Sequence, residues 1–144
     1  MQNKPNVLED FKINIKIKLS ALWTSLMFCY IYGDYFELYI PKKVEGLING
    51  QNLLDSPMKL FVAAFMLVIP ALMISLSIIL KPKINRLLSL IFGFSFTGVT
   101  LMVASTSLSK WEGSYFFYAI TESVITLIIV QQAWAWKRIK QDSV

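Results

Sequence analysis

The sequence contains no histidine and a single cysteine, Cys29. Without histidine there can be no His-ligated haem, no His-based zinc site and no catalytic triad that uses an imidazole base. One cysteine cannot form an intramolecular disulfide, which excludes the thiol–disulfide oxidoreductases that act through a cysteine pair. No Ser–Lys pair lies within an apolar segment either. We therefore expect no catalytic residue, no metal and no cofactor, and we do not expect an enzyme.

Charge is also scarce in this sequence. Charged residues make up 16% of its 144 residues, against about 25% in an ordinary soluble domain. Hydrophobic residues make up 56%, more than a soluble fold of this size could bury. The net charge of +5 comes from basic residues that flank the apolar segments and form no groove-like cluster. We expect the lipid bilayer and its anionic head groups as partners, and no nucleic acid.

Four apolar segments are long enough to cross about 30 Å of hydrocarbon as helices. Their predicted bounds are residues 19–40, 60–80, 87–109 and 114–136. Together they form a single transmembrane domain, residues 19–136, between a basic N-terminal segment (1–18) and a basic tail (137–144). Because the connections are short, the predicted fold is an all-α, four-helix up-down transmembrane bundle.

Prolines and the residues before them predict where the helices start, bend and end. Pro41 follows the first span, while Ser56 and Pro57 have the residue types of an N-cap and a first helical position. Pro70 lies in the middle of the second span and is expected to kink it. Residues 11–18 alternate apolar and polar side chains as in a strand. An unpaired strand beside the bilayer would leave backbone groups without partners, so we favour a helical lead-in there.

The distribution of Lys and Arg predicts the orientation. One side of the membrane carries Lys4, Lys12, Lys16, Lys18, Lys81, Lys83, Arg86, Lys137, Arg138 and Lys140. The other side carries Lys42, Lys43, Lys59 and Lys110. The positive-inside rule then places both termini in the cytoplasm. We expect a multi-pass protein of a bacterial cytoplasmic (inner) membrane.

Three carboxylates lie within the predicted spans, which contain no Lys or Arg. They are Asp34 and Glu37 in the first span and Glu122 in the last. An Asp at the centre of a membrane helix costs roughly 2.5–3.5 kcal/mol on insertion scales, so such residues usually face a bundle interior or a wet cavity. Glu37 lies nearest the surface and is expected to be solvated, or paired with Lys42 or Lys43.

Helical spacing predicts that two of the acids share a site. Trp23, Tyr30, Asp34 and Glu37 follow one face of the first span, and Tyr115, Tyr118, Glu122 and Thr126 follow one face of the last. Asp34 and Glu122 lie at similar depths. Because the first and fourth helices of an up-down bundle are neighbours, we expect the two acids to approach each other. The expected lining comprises Tyr30, Tyr115, Tyr118 and the hydroxyl of Thr121 or Thr126.

Two interpretations of this pair remain open. Two carboxyls in a poorly solvated site cannot both ionise cheaply and would share a proton. Such a site could bind a proton, a cation or a small ligand, with the tyrosine rings as cation–π partners. Alternatively, the carboxylates are structural hydrogen-bond partners between helices, worth about 0.6 kcal/mol per contact.

Ser89, Gly93 and Thr97 form a stripe of small residues, one every four positions, along the third span. Such a stripe allows helices to approach closely, and together with Pro70 it is expected to shape helix packing. It also supports a second hypothesis. The protein could be an accessory or assembly subunit of a membrane complex that docks through this stripe to a partner protein, or it could form a homo-oligomer.

Several short patterns are shared with a known family. They are Leu19-Ser20-x-Leu22-Trp23, Tyr30-x-Tyr32-x-Asp34, Ile69-Pro70-Ala71-x-Met73, Asn85-Arg86, Phe116-Phe117-x-Ala119-Ile120, Glu122 with Thr126, and Ala133-Trp134-x-Trp136. Over nearly the whole chain after Lys16, the sequence resembles an uncharacterised bacterial family of small four-span membrane proteins, a domain of unknown function. The resemblance implies the four-span architecture, points to Asp34 and Glu122 as positions of the family pattern, and implies no activity.

Overall fold

The computed structural model describes residues 11–106, 111 and 113–136, and within this part of the chain every regular element is a helix. The helices are α1 (Ile15–Glu37), α2 (Lys43–Ile48), α3 (Pro57–Ile79), α4 (Pro82–Thr106) and α5 (Gly113–Trp134). Three of them, α3, α4 and α5, are long and apolar enough to cross a membrane. The all-helical class is confirmed for the described residues, and the three long apolar helices support a membrane-embedded protein. The predictions for residues 1–10, 107–110 and the basic tail lie outside the described residues.

Helix α1 starts earlier and ends earlier than the predicted first span. Asn14 is its N-cap, and the Asn14 side chain accepts a hydrogen bond from the Lys16 amide at 2.9 Å. The helical lead-in is therefore confirmed from Ile15 onwards, whereas residues 11–14 are not helical. At its other end the helix stops at Glu37, three residues before Ile40, and turns follow.

Helix α3 starts where the sequence predicts. The Ser56 hydroxyl accepts a hydrogen bond from the Lys59 amide, and Pro57 is the first helical residue. The helix continues through Pro70, which is buried. The predicted loop before it contains the short helix α2, which follows Lys42 in a left-handed conformation with φ of 66°. The sequence pattern did not indicate α2, because a six-residue helix is too short to show a hydrophobic period.

Helix α1 lies between α3 and α5, and α4 packs along α5. The side chains of Leu19, Trp23 and Leu26 are completely buried at the centre of this arrangement. They pack with Met73, Phe96 and Ile129 from the other three long helices. Helices α3 and α4, although consecutive in the chain, touch each other only sparsely. The bundle is therefore closed along α3–α1–α5–α4 and loosely packed between α3 and α4.

One end of the bundle, here called the basic end, holds the start of α1, the turn between α3 and α4, and the end of α5. The Lys16 ammonium donates to the carbonyls of Ile78 at 3.0 Å and Leu80 at 2.6 Å. Arg86 Nη2 donates to the Trp134 carbonyl at 3.2 Å. The last carbonyls of a helix lack intrahelical partners and carry partial negative charge. Basic side chains therefore satisfy the ends of α3 and α5.

The same end contains a buried amide. Asn85 is completely buried, and its Nδ2 donates to the Ser77 carbonyl at 2.6 Å. Ser89 Oγ donates to Asn85 Oδ1 at 3.2 Å. This chain of hydrogen bonds joins α4 to α3 beside their connecting turn.

The stripe of small residues on α4 faces α5. Ser89, Gly93 and Thr97 are all buried, and Thr97 Oγ1 donates to Thr126 Oγ1 at 2.8 Å. One turn further along, the hydroxyls of Thr100 and Ser123 are 2.9 Å apart. The stripe is occupied within the chain, so it does not offer a docking face to a second protein.

We expect Gly93→Ala to destabilise the protein. A Cβ at this position would lie 2.7 Å from Val130 Cγ2, and valine cannot move aside easily because its χ1 is restricted. Overpacking of this kind costs about 1–3 kcal/mol. Thermal unfolding of the purified protein in detergent measures the effect.

Gly98→Ala is the matched control, because nothing lies within 4 Å of the added Cβ. It should leave the melting temperature unchanged or raise it slightly. Equal melting temperatures for the two variants would contradict the close packing of α4 on α5.

Candidate functional site

A cavity of about 400 Å³ lies at the end of the bundle opposite the basic end. All four long helices line it, together with α2 and residues 52–54. Its volume falls within the range of about 300–1,000 Å³ that is typical of small-molecule sites.

The structure places most of the predicted site residues on this cavity. Tyr30, Asp34, Tyr115, Tyr118 and Glu122 all line it. Thr126 and Thr121 are not among the lining residues. Thr126 lies one turn further along α5 in the contact with Thr97, and the Thr121 hydroxyl donates to the Phe117 carbonyl. The predicted packing residues Pro70, Ser89, Gly93 and Thr97 also lie elsewhere.

Glu122 is the most buried charged residue that lines the cavity, with 8% of its surface exposed. A Cβ added to Gly33 would lie 3.9 Å from Glu122 Oε1 and 3.7 Å from Tyr118 Cβ. These are ordinary van der Waals distances, so α1 passes directly beside the carboxylate at Gly33. The Glu122 backbone carbonyl accepts from Thr126, but its carboxylate has no hydrogen-bond or ion-pair partner among the described residues.

Asp34 lines the same cavity but is exposed. It therefore sits at the rim, whereas Glu122 sits inside. The rise of each helix alone predicts similar depths for the two acids. It does not predict that Glu122 is buried while Asp34 is exposed. Glu122 lies against α1 at Gly33, whereas the Asp34 side chain remains exposed.

Glu37 forms an ion pair with Lys43 across the junction of α1 and α2. The expected pairing of Glu37 with Lys42 or Lys43 is confirmed for Lys43. Both partners line the cavity, so the pair neutralises the third carboxylate of the site. Lys43 is the only basic side chain among the described residues that line it. Among the described lining residues no other basic side chain is available to Asp34 or Glu122.

Aromatic rings form the inner part of the cavity wall. The Tyr30 ring lies 6.2 Å from the Phe96 ring, and Phe96 in turn meets Trp23 edge-to-face at 6.5 Å. The Tyr30 hydroxyl and Trp23 Nε1 are buried without a hydrogen-bond partner in the described part of the chain. A buried polar group without a partner costs about 1–3 kcal/mol, so burying these two groups lowers the free energy of unfolding.

Sequence reasoning missed Gly33, Phe96, Thr100 and Lys43 as lining residues. Gly33 left a usable signal, since an isolated glycine inside a helical segment often has a packing or functional reason. The sequence gives no comparable signal for Phe96 and Thr100, because apolar and hydroxyl side chains occur throughout α4. Within the described residues no group of three or more His, Cys, Asp or Glu side chains converges as a metal site.

The structural and functional interpretations of Glu122 predict opposite changes in stability. Since the carboxylate has no partner, Glu122→Gln removes a charge from a poorly solvated site. We expect an unchanged or higher melting temperature. Thr126→Val, which removes the hydrogen bond to Thr97, should cost about 0.6–1.7 kcal/mol. Thermal unfolding in detergent compares the two variants with the wild type.

A loss of stability in Glu122→Gln as large as that in Thr126→Val would contradict the absence of a partner. It would support structural hydrogen bonding as the role of Glu122.

Comparison with known proteins extends the resemblance noted above. Residues 7–143 match a family of unknown function, DUF6326. No curated protein and no solved structure matches the chain. Because the match covers nearly the whole sequence, the chain belongs to the DUF6326 family.

Proposed function

We propose that this protein binds a small cation, in competition with protons, at the carboxylates of Asp34 and Glu122. The observation that carries the proposal is the buried Glu122 carboxylate, which faces a cavity and has no partner among the described residues. A carboxylate is stable in such surroundings when it is protonated or when a cation accompanies it. The role is binding rather than catalysis.

The charges around the cavity favour a cation over an anion. Lys43 pairs with Glu37, so the remaining charges among the described lining residues are those of Asp34 and Glu122. Tyrosine and phenylalanine rings line the same space, and their faces attract cations. The buried Glu122 carboxyl is also stable in its protonated form, which explains why protons would compete with the ligand.

We also propose that the chain crosses a bacterial cytoplasmic membrane four times, with both termini in the cytoplasm. Helix α1 is the proposed additional span. Its 23 residues extend about 34 Å, and it packs between α3 and α5. Its lower hydropathy reflects Asp34 and several hydroxyl side chains. Lys12, Lys16, Lys18, Lys81, Lys83 and Arg86 support the orientation, since all belong to the basic end.

Topology is tested with reporters fused after residue 144. Green fluorescent protein should fluoresce there and alkaline phosphatase should be inactive, because the fusion point lies in the cytoplasm. The reverse pattern would contradict the proposed orientation.

Cation binding is tested by calorimetry on the purified protein with phenyltrimethylammonium as the probe. We expect the wild type to bind this cation more weakly as the pH falls, since protons occupy the same carboxylates. Glu122→Gln should weaken binding about tenfold or more, because it removes a desolvated charge partner. Asp34→Asn should have a smaller effect, about threefold, because Asp34 is exposed and screened.

Substitutions at the neighbouring residues Lys43 and Lys42 form a pair, the first as the test variant and the second as its matched control. Lys43→Gln removes the ammonium that pairs with Glu37 and should strengthen binding about twofold to fivefold. Lys42→Gln changes the formal charge by the same amount at a residue that does not line the cavity, and it should have little effect. Binding that is insensitive to Glu122→Gln would overturn the proposal.

The alternative of an accessory subunit gains no support from the small-residue stripe, because α5 already covers it. A partner protein would have to use another face of the bundle.

A further inference from the structure

We infer that the ligand is a hydrophobic organic cation that enters the cavity from the bilayer between α3 and α4. The inference rests on the proposed function and specifies the ligand class and the route. It follows from the chemistry of the cavity walls and the packing of the two helices.

The walls of the cavity differ in polarity. Helices α1 and α5 contribute its acidic and phenolic groups, including Asp34, Tyr30 and Glu122. The side formed by α3 is entirely apolar and consists of Ala63, Met66 and Leu67, and Val99 and Val103 of α4 continue it. A ligand that is complementary to both sides places a cationic group against α1 and α5 and an apolar body against α3 and α4.

The packing of α3 leaves this apolar side open. The buried residues of α3 are Pro70, Met73 and Ser77, all in the half nearest the basic end. In its first half, Met66 lines the cavity and is still 37% exposed, as is Val99 on the facing part of α4. The hydrogen bond between Asn85 and the Ser77 carbonyl joins the two helices only beside their turn. The helices therefore diverge towards the cavity, and the gap opens to lipid.

Helix α2 and the following loop line the end of the cavity that faces away from the bundle. They contribute Lys43, Leu47, Leu53 and Leu54, and the ion pair between Lys43 and Glu37 holds α2 beside α1. The gap between α3 and α4 is lined by apolar side chains, so a hydrophobic molecule dissolved in the bilayer can reach the cavity through it.

Two groups inside the cavity are available to the ligand. The Glu122 side chain is more than nine-tenths buried and its carboxylate has no partner among the described residues. The Tyr30 hydroxyl is likewise buried and unpartnered. The carboxylate can balance the charge of a cation, and the adjacent tyrosine and phenylalanine rings can accept its face.

The test compares methyltriphenylphosphonium with tetramethylammonium, both titrated into the purified full-length protein in lipid nanodiscs. We expect the hydrophobic cation to bind about tenfold or more tightly than the hydrophilic one, after correction for partitioning into protein-free nanodiscs. Ala63→Phe places a ring in the gap and should abolish that preference. Ala64→Phe, at the neighbouring exposed position outside the cavity, should retain it.

The outcomes separate the two proposals. In one outcome both cations bind equally, both bind more weakly to Glu122→Gln, and neither is affected by Ala63→Phe. The proposed cation site would then be supported, but the hydrophobic ligand and the lipid route would be wrong. If neither cation shows binding that depends on Glu122, the proposed function fails and this inference fails with it. Thermal unfolding checks that Ala63→Phe is folded, and Ala63→Leu serves as a smaller substitution if it is not.

Discussion

The close contact between α4 and α5 positions the rest of the site. Gly93 allows the two helices to approach, and the hydroxyl pairs of Thr97 with Thr126 and Thr100 with Ser123 set their register. In lipid no water is present to hydrogen-bond with these hydroxyls, so they form hydrogen bonds within the chain. This register carries Glu122 to the cavity, where it lies beside Gly33 of α1.

Buried polar atoms without a partner lie in both halves of the described structure: Ser77 Oγ and Arg86 Nε near the basic end, and Trp23 Nε1 and the Tyr30 hydroxyl towards the cavity. Near the basic end, buried Asn85 and Ser89 are hydrogen-bonded, and basic side chains satisfy the last carbonyls of α3 and α5. At the cavity, Glu122 and the Tyr30 hydroxyl have no partner within the described structure. A protein selected only for stability would replace such groups with apolar ones at little cost. Among these groups the Glu122 carboxylate is distinguished by its charge and by the cavity that it faces.

Local patterns in the sequence were sufficient for much of the fold. Ser56 and Pro57 define a helix start by their own chemistry, and helical spacing alone places Tyr30 beside Asp34 and Tyr118 beside Glu122 on one face of each helix. Contacts between distant segments were not predictable in this way. The divergence of α3 from α4 and the capping of α3 by Lys16 depend on how whole helices pack. The burial of Glu122 and the exposure of Asp34 depend on the same packing.

The hydrogen bonds at the basic end have a mechanical consequence. Lys16 and Asn85 fasten one end of α3 to its neighbours, while the other end is lightly packed. Helix α3 has 23 residues and so is about 34 Å long. If the helix rotates as a rigid body, the fastened end is the pivot and the opposite end moves furthest. A tilt of about 5° there would displace the free end by about 3 Å, which is enough to change the width of the gap beside Ala63 without disturbing the hydrogen bonds at the pivot.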